Sequence, residues 1–343
     1  MSCADYGLSE RKQDAIYTSS RVDSGLNVVL GSKTMTKTEC ILIVVDPSAY
    51  QHPAVNRGML LAKSLGMRVD LFVCDYNAQL VSGSFLNASR LKNAKAGYMK
   101  DKKKFLDKLA RPYIDQGIDI TTKVAWDRPL YEGIVRQSLH SDARIVIKDT
   151  HYHSALSRIL FTNTDWHLIR SCPAPLWLVQ PDRDFINPKV VAAVDPLHEH
   201  DKPASLDMRI ITEAFEIADS MAGEVHVAHI FNPFLDPEDP DRIEKQHTDA
   251  LEKLVEEVQI PEERTHLHAG NPIDLLPQIC ADISADLVIM GAVSRSRLES
   301  AVIGSTAENI LDRMGCDILI LKPKGFISPV TFKAVPKGAV FAD

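Results

Sequence analysis

One short pattern occurs twice in the chain: an almost continuous apolar run that ends in Asp-Pro. The first copy is Cys40-Ile-Leu-Ile-Val-Val-Asp46-Pro47 and the second is Val190-Val-Ala-Ala-Val-Asp195-Pro196. An apolar run bounded by turn formers suits a strand buried on both faces of a parallel sheet. The stretches downstream of the two copies also match each other. Helical periodicity over 53–65 answers 205–222, and the strand pattern Arg68–Cys74 answers Glu224–Ile230. A charged helical stretch, 88–116 against 239–258, leads to short β patterns near 119–125 and 264–269. Pro129 and Pro272 each precede a further helix, where proline fits the first turn. Fourth strands fall at 143–148 and 285–290, and each half closes on a helix and a last strand, 175–179 and 317–321. This is β-α-β-α-β-α-β-α-β, twice.

Alternating strands and helices imply an open parallel sheet with helices on both faces. Ligands of such sheets bind beyond the carboxyl ends of the strands, where strand order reverses. Asp46 and Asp195 stand at such ends. The length of 343 residues fits two domains of this size. The expected boundaries are a disordered extension over 1–37, domains over 38–180 and 189–324, and a tail over 325–343. Met35 is an alternative start. The segment from Gln180 to Pro188 is polar and proline-flanked, as a domain boundary should be.

Composition excludes several classes of function. Net charge is −7, and no basic cluster of the kind that neutralises phosphate stands out, so no nucleic-acid partner is expected. No apolar run approaches a membrane span. The six cysteines are scattered, without Cys-x-x-Cys spacing. That reads as buried free thiols in a reducing, cytoplasmic setting rather than a disulfide framework.

The last strands of the two halves are apolar and would aggregate as open edges. They are expected to pair with each other across a pseudo-two-fold axis, giving a pseudo-dimer within one chain, with a further homodimer left open.

The segment Phe161-Thr-Asn-Thr-Asp-Trp166-His-Leu-Ile-Arg170-Ser-Cys-Pro173-Ala-Pro175 and the stretch from Gly291 to Leu311 resemble the universal stress protein family, in particular its tandem, E-type bacterial members. The resemblance covers roughly residues 38–324. It implies two tandem Rossmann-like (adenine nucleotide alpha hydrolase-like) five-stranded parallel-sheet domains, and a stress-response ligand-binding protein rather than an enzyme. Nucleotide-binding members carry an Asp after the first strand and a loop Gly-x2-Gly-x9-Gly-Ser/Thr after the fourth. Glycines let backbone approach phosphate, and the next helix N-terminus binds the anion.

In the second half, Asp195, Met290, Gly291, Ser294, Gly304, Ser305 and Thr306 occupy that pattern, which implies ATP, ADP or a related nucleotide as small-molecule ligand. Ser294 replaces the middle glycine. Alternatively, Gly291 ends a strand and Ser305 caps a helix, with Glu308 three residues on completing a capping box. In the first half, Asp149 stands where Gly291 stands and Phe161 where Gly304 stands. That half is not expected to take a nucleotide in the family manner. His151 and His153 form a loop His-x-His pair, and with Asp149, Asp165 or His167 could hold zinc. The competing function is a carrier or sensor of a non-nucleotide, amphipathic or lipid-like molecule in a repurposed first pocket. An adenylyl-transferring enzyme is disfavoured, because Asp-Pro stands where such enzymes carry a His-x-x-His signature near the first strand.

Overall fold

The computed structural model describes residues 38–82, 88–153, 158–181, 184–197, 204–233, 239–291 and 305–331. The expected extension over 1–37 lies outside them.

The first half runs β1 (Cys40–Val44), α1 (Pro53–Leu65), β2 (Arg68–Asp75), α2 (Ala78–Ser82), α3 (Ala88–Ile114), β3 (Ile120–Trp126), α4 (Leu130–Ser141) and β4 (Ala143–Asp149). A short hairpin comes next, β5 (His151–His153) with β6 (Arg158–Leu160), then α5 (Asn163–Ser171) and β7 (Leu176–Val179). The second half runs β8 (Lys189–Ala193), α6 (Ala204–Ser220), β9 (Glu224–Phe231), α7 (Pro240–Val258), β10 (Thr265–Ala269), α8 (Pro272–Asp282), β11 (Leu287–Gly291), α9 (Ser305–Leu311) and β12 (Asp317–Leu321).

Within each half the strands are parallel, in the orders β3-β2-β1-β4-β7 and β10-β9-β8-β11-β12. The switch in strand order falls between the first and fourth strands of each half, so a crevice opens at the carboxyl ends of β1 and β4, and again at those of β8 and β11. Of the strands there, β1 and β11 are buried at every position and β4 and β8 at their centres, which is why they read as apolar runs. One sheet face carries α1, α3, α6 and α7 through Ala54, Leu106, Leu206 and Leu251. The other carries α4, α5, α8 and α9 through Ile134, Leu168, Leu276 and Ile310.

The expected pairing of the last strands is present. β12 runs antiparallel to β7, with Ile318 opposite Leu178, Leu319 opposite Trp177 and Ile320 opposite Leu176. The two five-stranded sheets thereby become one ten-stranded sheet.

One feature departs from the sequence reading. The His-x-His segment is a strand of a hairpin rather than a loop. The inter-repeat segment is anchored. Gln180 donates its backbone N–H to Asp317 Oδ1 (2.8 Å) and its side-chain amide to the Cys316 carbonyl. Phe185 is buried against Trp177, beneath the Arg57 guanidinium. The cysteines among the described residues are free, and Cys40, Cys172, Cys280 and Cys316 are buried.

Candidate functional site

At the switch point of the first half lies a cavity of about 690 Å³. Its apolar wall includes Val44, Val45, Pro53, Leu130 and Ile134, and its polar wall includes Asp46, Asp75, Tyr98, Lys102, Lys148 and Asp149. Each polar group arrives there for a local reason. Asp46 lies just beyond β1 and folds back on its own turn, accepting from the Ser48 N–H (2.8 Å) and hydroxyl (2.6 Å), an arrangement typical of Asp at a turn. Asp75 ends β2, where the Tyr98 hydroxyl and Lys102 (3.3 Å) of α3 reach it. Tyr98 and Lys102 are four residues apart and so share one helix face. Trp126 ends β3 between Tyr76 and Tyr98, with ring centroids at 5.3 and 5.6 Å.

Asp149 ends β4. Its Oδ1 accepts the Ala54 N–H in the first turn of α1 at 2.6 Å, while its Oδ2 is buried without a hydrogen-bond partner. Burial pushes its pKa up to about 7; the Ala54 N–H and Lys148 oppose the rise, and Asp317 and Asp46 add to it. Lys148 is turned elsewhere: its ammonium meets Asp165 Oδ1 (2.8 Å) and the Asp149 carbonyl (2.8 Å).

The metal candidates divide. Asp165 takes the Thr162 N–H (2.7 Å) and hydroxyl (2.8 Å) in a capping box at the start of α5. His167 stacks on Tyr131, centroids 4.3 Å apart. Asp149 faces Ala54. The residues proposed as further ligands thus serve other partners, and among the described residues no three His, Cys, Asp or Glu are placed to hold a metal ion. His151 and His153 pair with Leu160 and Arg158 along the hairpin; their side chains lie outside the described set. Phe161 packs edge-on against Trp166 at 5.1 Å.

In the second half, the structure brings Asp195, Met290 and Gly291 to adjoining strand ends, since Met290 pairs with Ala193. Asp195 is buried; its backbone N–H donates to Asp207 Oδ1 (3.1 Å), and its Oδ2 has no hydrogen-bond partner. Gly291 has a packing reason: a Cβ there would stand 2.7 Å from Leu206 Cδ2. Ser294 and Gly304 lie outside the described residues. Ser305 and Thr306 open α9, with side chains outside the described set. The Glu308 carboxylate meets Arg170 of α5.

His226 and His266 face each other across β9 and β10, Nδ1 to Nε2 at 3.0 Å, and His229 meets His247 inside the fold at 2.7 Å. His226 and His229 lie on opposite faces of the sheet. Sequence reasoning missed Tyr98, Lys102 and Asp75 as cavity residues. The available signal was an Asp at the end of the second strand, together with the i,i+4 Tyr-Lys pair on the helix after it.

The universal stress protein family model matches residues 38–180 and again 188–322. Universal stress protein E of Photorhabdus laumondii is 29% identical over 313 residues, covering 86% of this chain and 98% of the relative. Universal stress protein E of Escherichia coli K12 is 29% identical over 308 residues, with the same coverages. A solved structure from Pseudomonas aeruginosa, described as that of a universal stress protein, superposes with a TM-score of 0.70 at 26% identity, covering 84% of this chain and 95% of the other.

Proposed function

Because the chain belongs to the universal stress protein family, as a tandem member, we propose that it is a cytoplasmic binding protein with two unlike small-molecule sites. The first-half cavity takes a non-nucleotide ligand, and the second half takes ATP, ADP or a related nucleotide. Residues 38–180 and 189–324 are the two domains, each with its own site.

The observation that carries this reading is the contrast between equivalent strand ends. Asp149 lines a cavity of about 690 Å³, where a triphosphate would meet its carboxyl. Gly291 offers backbone alone at the same place. Beside it stands Asp195, a buried acceptor with an unused oxygen, suited to hydroxyl or amino donors. Free, buried thiols fit a reducing compartment. Binding rather than catalysis is inferred because the cavity's cations are held in pairs, Lys102 with Asp75 and Lys148 with Asp165. Any response to ligand then requires unequal affinity for two states of the protein or its assembly.

Calorimetric titration of the full chain with ATP and ADP, with and without magnesium, tests the second site. One site per chain that disappears on Gly304→Phe and survives Asp149→Asn supports it. Absence of heat at millimolar nucleotide removes the second-half nucleotide from this reading and leaves the first-half cavity to be judged by its own ligands.

A further inference from the structure

The first-half cavity has a charge pattern that narrows its ligand, given the reading that it holds one. Lys148 and Lys102 already have carboxylate partners, at 2.8 and 3.3 Å. Asp75 receives Lys102 and Tyr98, and Asp46 receives Ser48. Asp149 differs. A carboxylate offers roughly four acceptor positions, and the Ala54 N–H fills one, leaving Oδ2 buried and unsatisfied. A buried acceptor without a donor is costly, and a buried carboxylate is stable as an ion only beside a cation. The cavity also has an apolar wall, which includes Val44, Val45, Leu130 and Ile134. A ligand that supplies a positively charged N–H donor at one end and a short apolar body at the other answers both walls.

We propose that the first-half cavity is a site for a small organic cation, a primary ammonium or amidinium on a short apolar body, with the Asp149 carboxylate as its counter-ion. Anionic ligands are rejected by Asp46, Asp75 and Asp149, which line the same space.

Binding should carry a proton signature. The charged groups facing Asp149 are Lys148 on its own strand, Asp46 after β1 and Asp317 on β12, with Lys102 and Asp75 across the cavity and the Ala54 N–H on α1. In the empty cavity burial holds Asp149 near pH 7, so it is partly protonated there. An arriving ammonium favours the ionised form and expels the proton. Affinity for the cation therefore rises with pH through about 7.

The test uses the full chain and three probes of equal length: hexylammonium, hexanol and hexanoate. They are titrated by calorimetry in two buffers of different ionisation enthalpy. Hexylammonium should bind about ten-fold or more tightly than hexanol, the scale of a charge-assisted hydrogen bond replacing a neutral one. Hexanoate should give no measurable binding, and the ammonium heat should differ between buffers by the released proton. Asp149→Asn, which keeps an acceptor for Ala54, should leave hexylammonium no better than hexanol, with unfolding curves showing the variant folded. Binding without ammonium preference, or a preference that survives Asp149→Asn, overturns the cation assignment while leaving the cavity a ligand site. Silence from all three probes at millimolar concentration overturns both.

Discussion

Gly291 and Asp149 close equivalent strands, and their surroundings explain why one is glycine and the other is not. Leu206 of α6 lies so near Gly291 that a Cβ would meet its Cδ2 at 2.7 Å. In the first half, the small Ala54 leaves room for the Asp149 carboxyl and offers it an N–H. Gly291→Ala should therefore cost about 1 kcal/mol, the low end for overpacking, because the atom it meets ends a side chain. Equilibrium denaturation measures it, and Leu206→Ala in the same chain should recover part of the loss; additive losses would show that the contact is not the cause. This residue is where sequence spacing alone was ambiguous. A glycine at a strand end reads equally as a phosphate contact or as close packing, and only the position of Leu206 reveals the second role. Asp149 was legible as an interruption of the glycine pattern. Its buried oxygen was not, since burial depends on α1 and the rest of the cavity wall.

At the scale of elements, caps and strands were the most readable. The run Thr162-Asn-Thr-Asp165 forms a capping box at the start of α5, and the box does a second task by presenting Asp165 to Lys148. Thr162→Ala should cost about 1 kcal/mol, the usual loss of an N-cap. Asp165→Ala should cost more, toward ~3 kcal/mol, because Lys148 is left half-buried without its carboxylate. Urea midpoints of both variants rank the two effects, and equal losses would mean that the ion pair contributes nothing beyond the cap. Fully buried strands such as β1 and β11 declare themselves by unbroken apolar runs. The β5–β6 hairpin did not, because three-residue strands carry too few positions for a period to show. In α3, the cations at Lys102, Lys103 and Lys104 meet Asp75, Asp107 and Asp101. The basic stretch is thus partly neutralised by its own fold.

Across the whole molecule, the junction of the two halves is the decisive contact. β7 and β12 meet with Trp177 opposite Leu319, positions that coincide when the last strands of the repeats are aligned, so the interface is isologous as in a two-fold dimer. Asp317 ties it together: it accepts from Arg57 Nε (3.2 Å), the Trp177 indole (3.1 Å) and the Gln180 N–H (2.8 Å). Burial nonetheless pushes its pKa up from the ordinary 3.8 to about 6. An acid raised in this way binds its proton more readily folded than unfolded. Its contribution to stability is therefore full below pH 3.8 and declines as pH rises to about 6. Removing it still harms the neutral protein, because the buried Arg57 guanidinium, the Trp177 indole and the Gln180 N–H would all lose the carboxylate they donate to. Asp317→Ala should cost about 3–5 kcal/mol at neutral pH and abolish that decline between the two pKa values. Denaturation across that pH range checks both; an unchanged pH slope would assign it to other carboxyls.

The sequence alone determined the repeat, the order of the five sheet strands and the main helices in each half, and the family. These rest on local rules: apolar runs make buried strands, a 3.6-residue period makes helices, and two equal patterns make two equal sheets. The tertiary structure decided that a cavity opens at the strand ends of the first half, that Leu206 packs beside Gly291, that Asp149 has an unused oxygen, and that Asp317 binds one half to the other. Those properties belong to pairs of residues far apart in the chain. Burial, charge compensation and steric room exist only once both members of a pair are in place, and no local pattern records them.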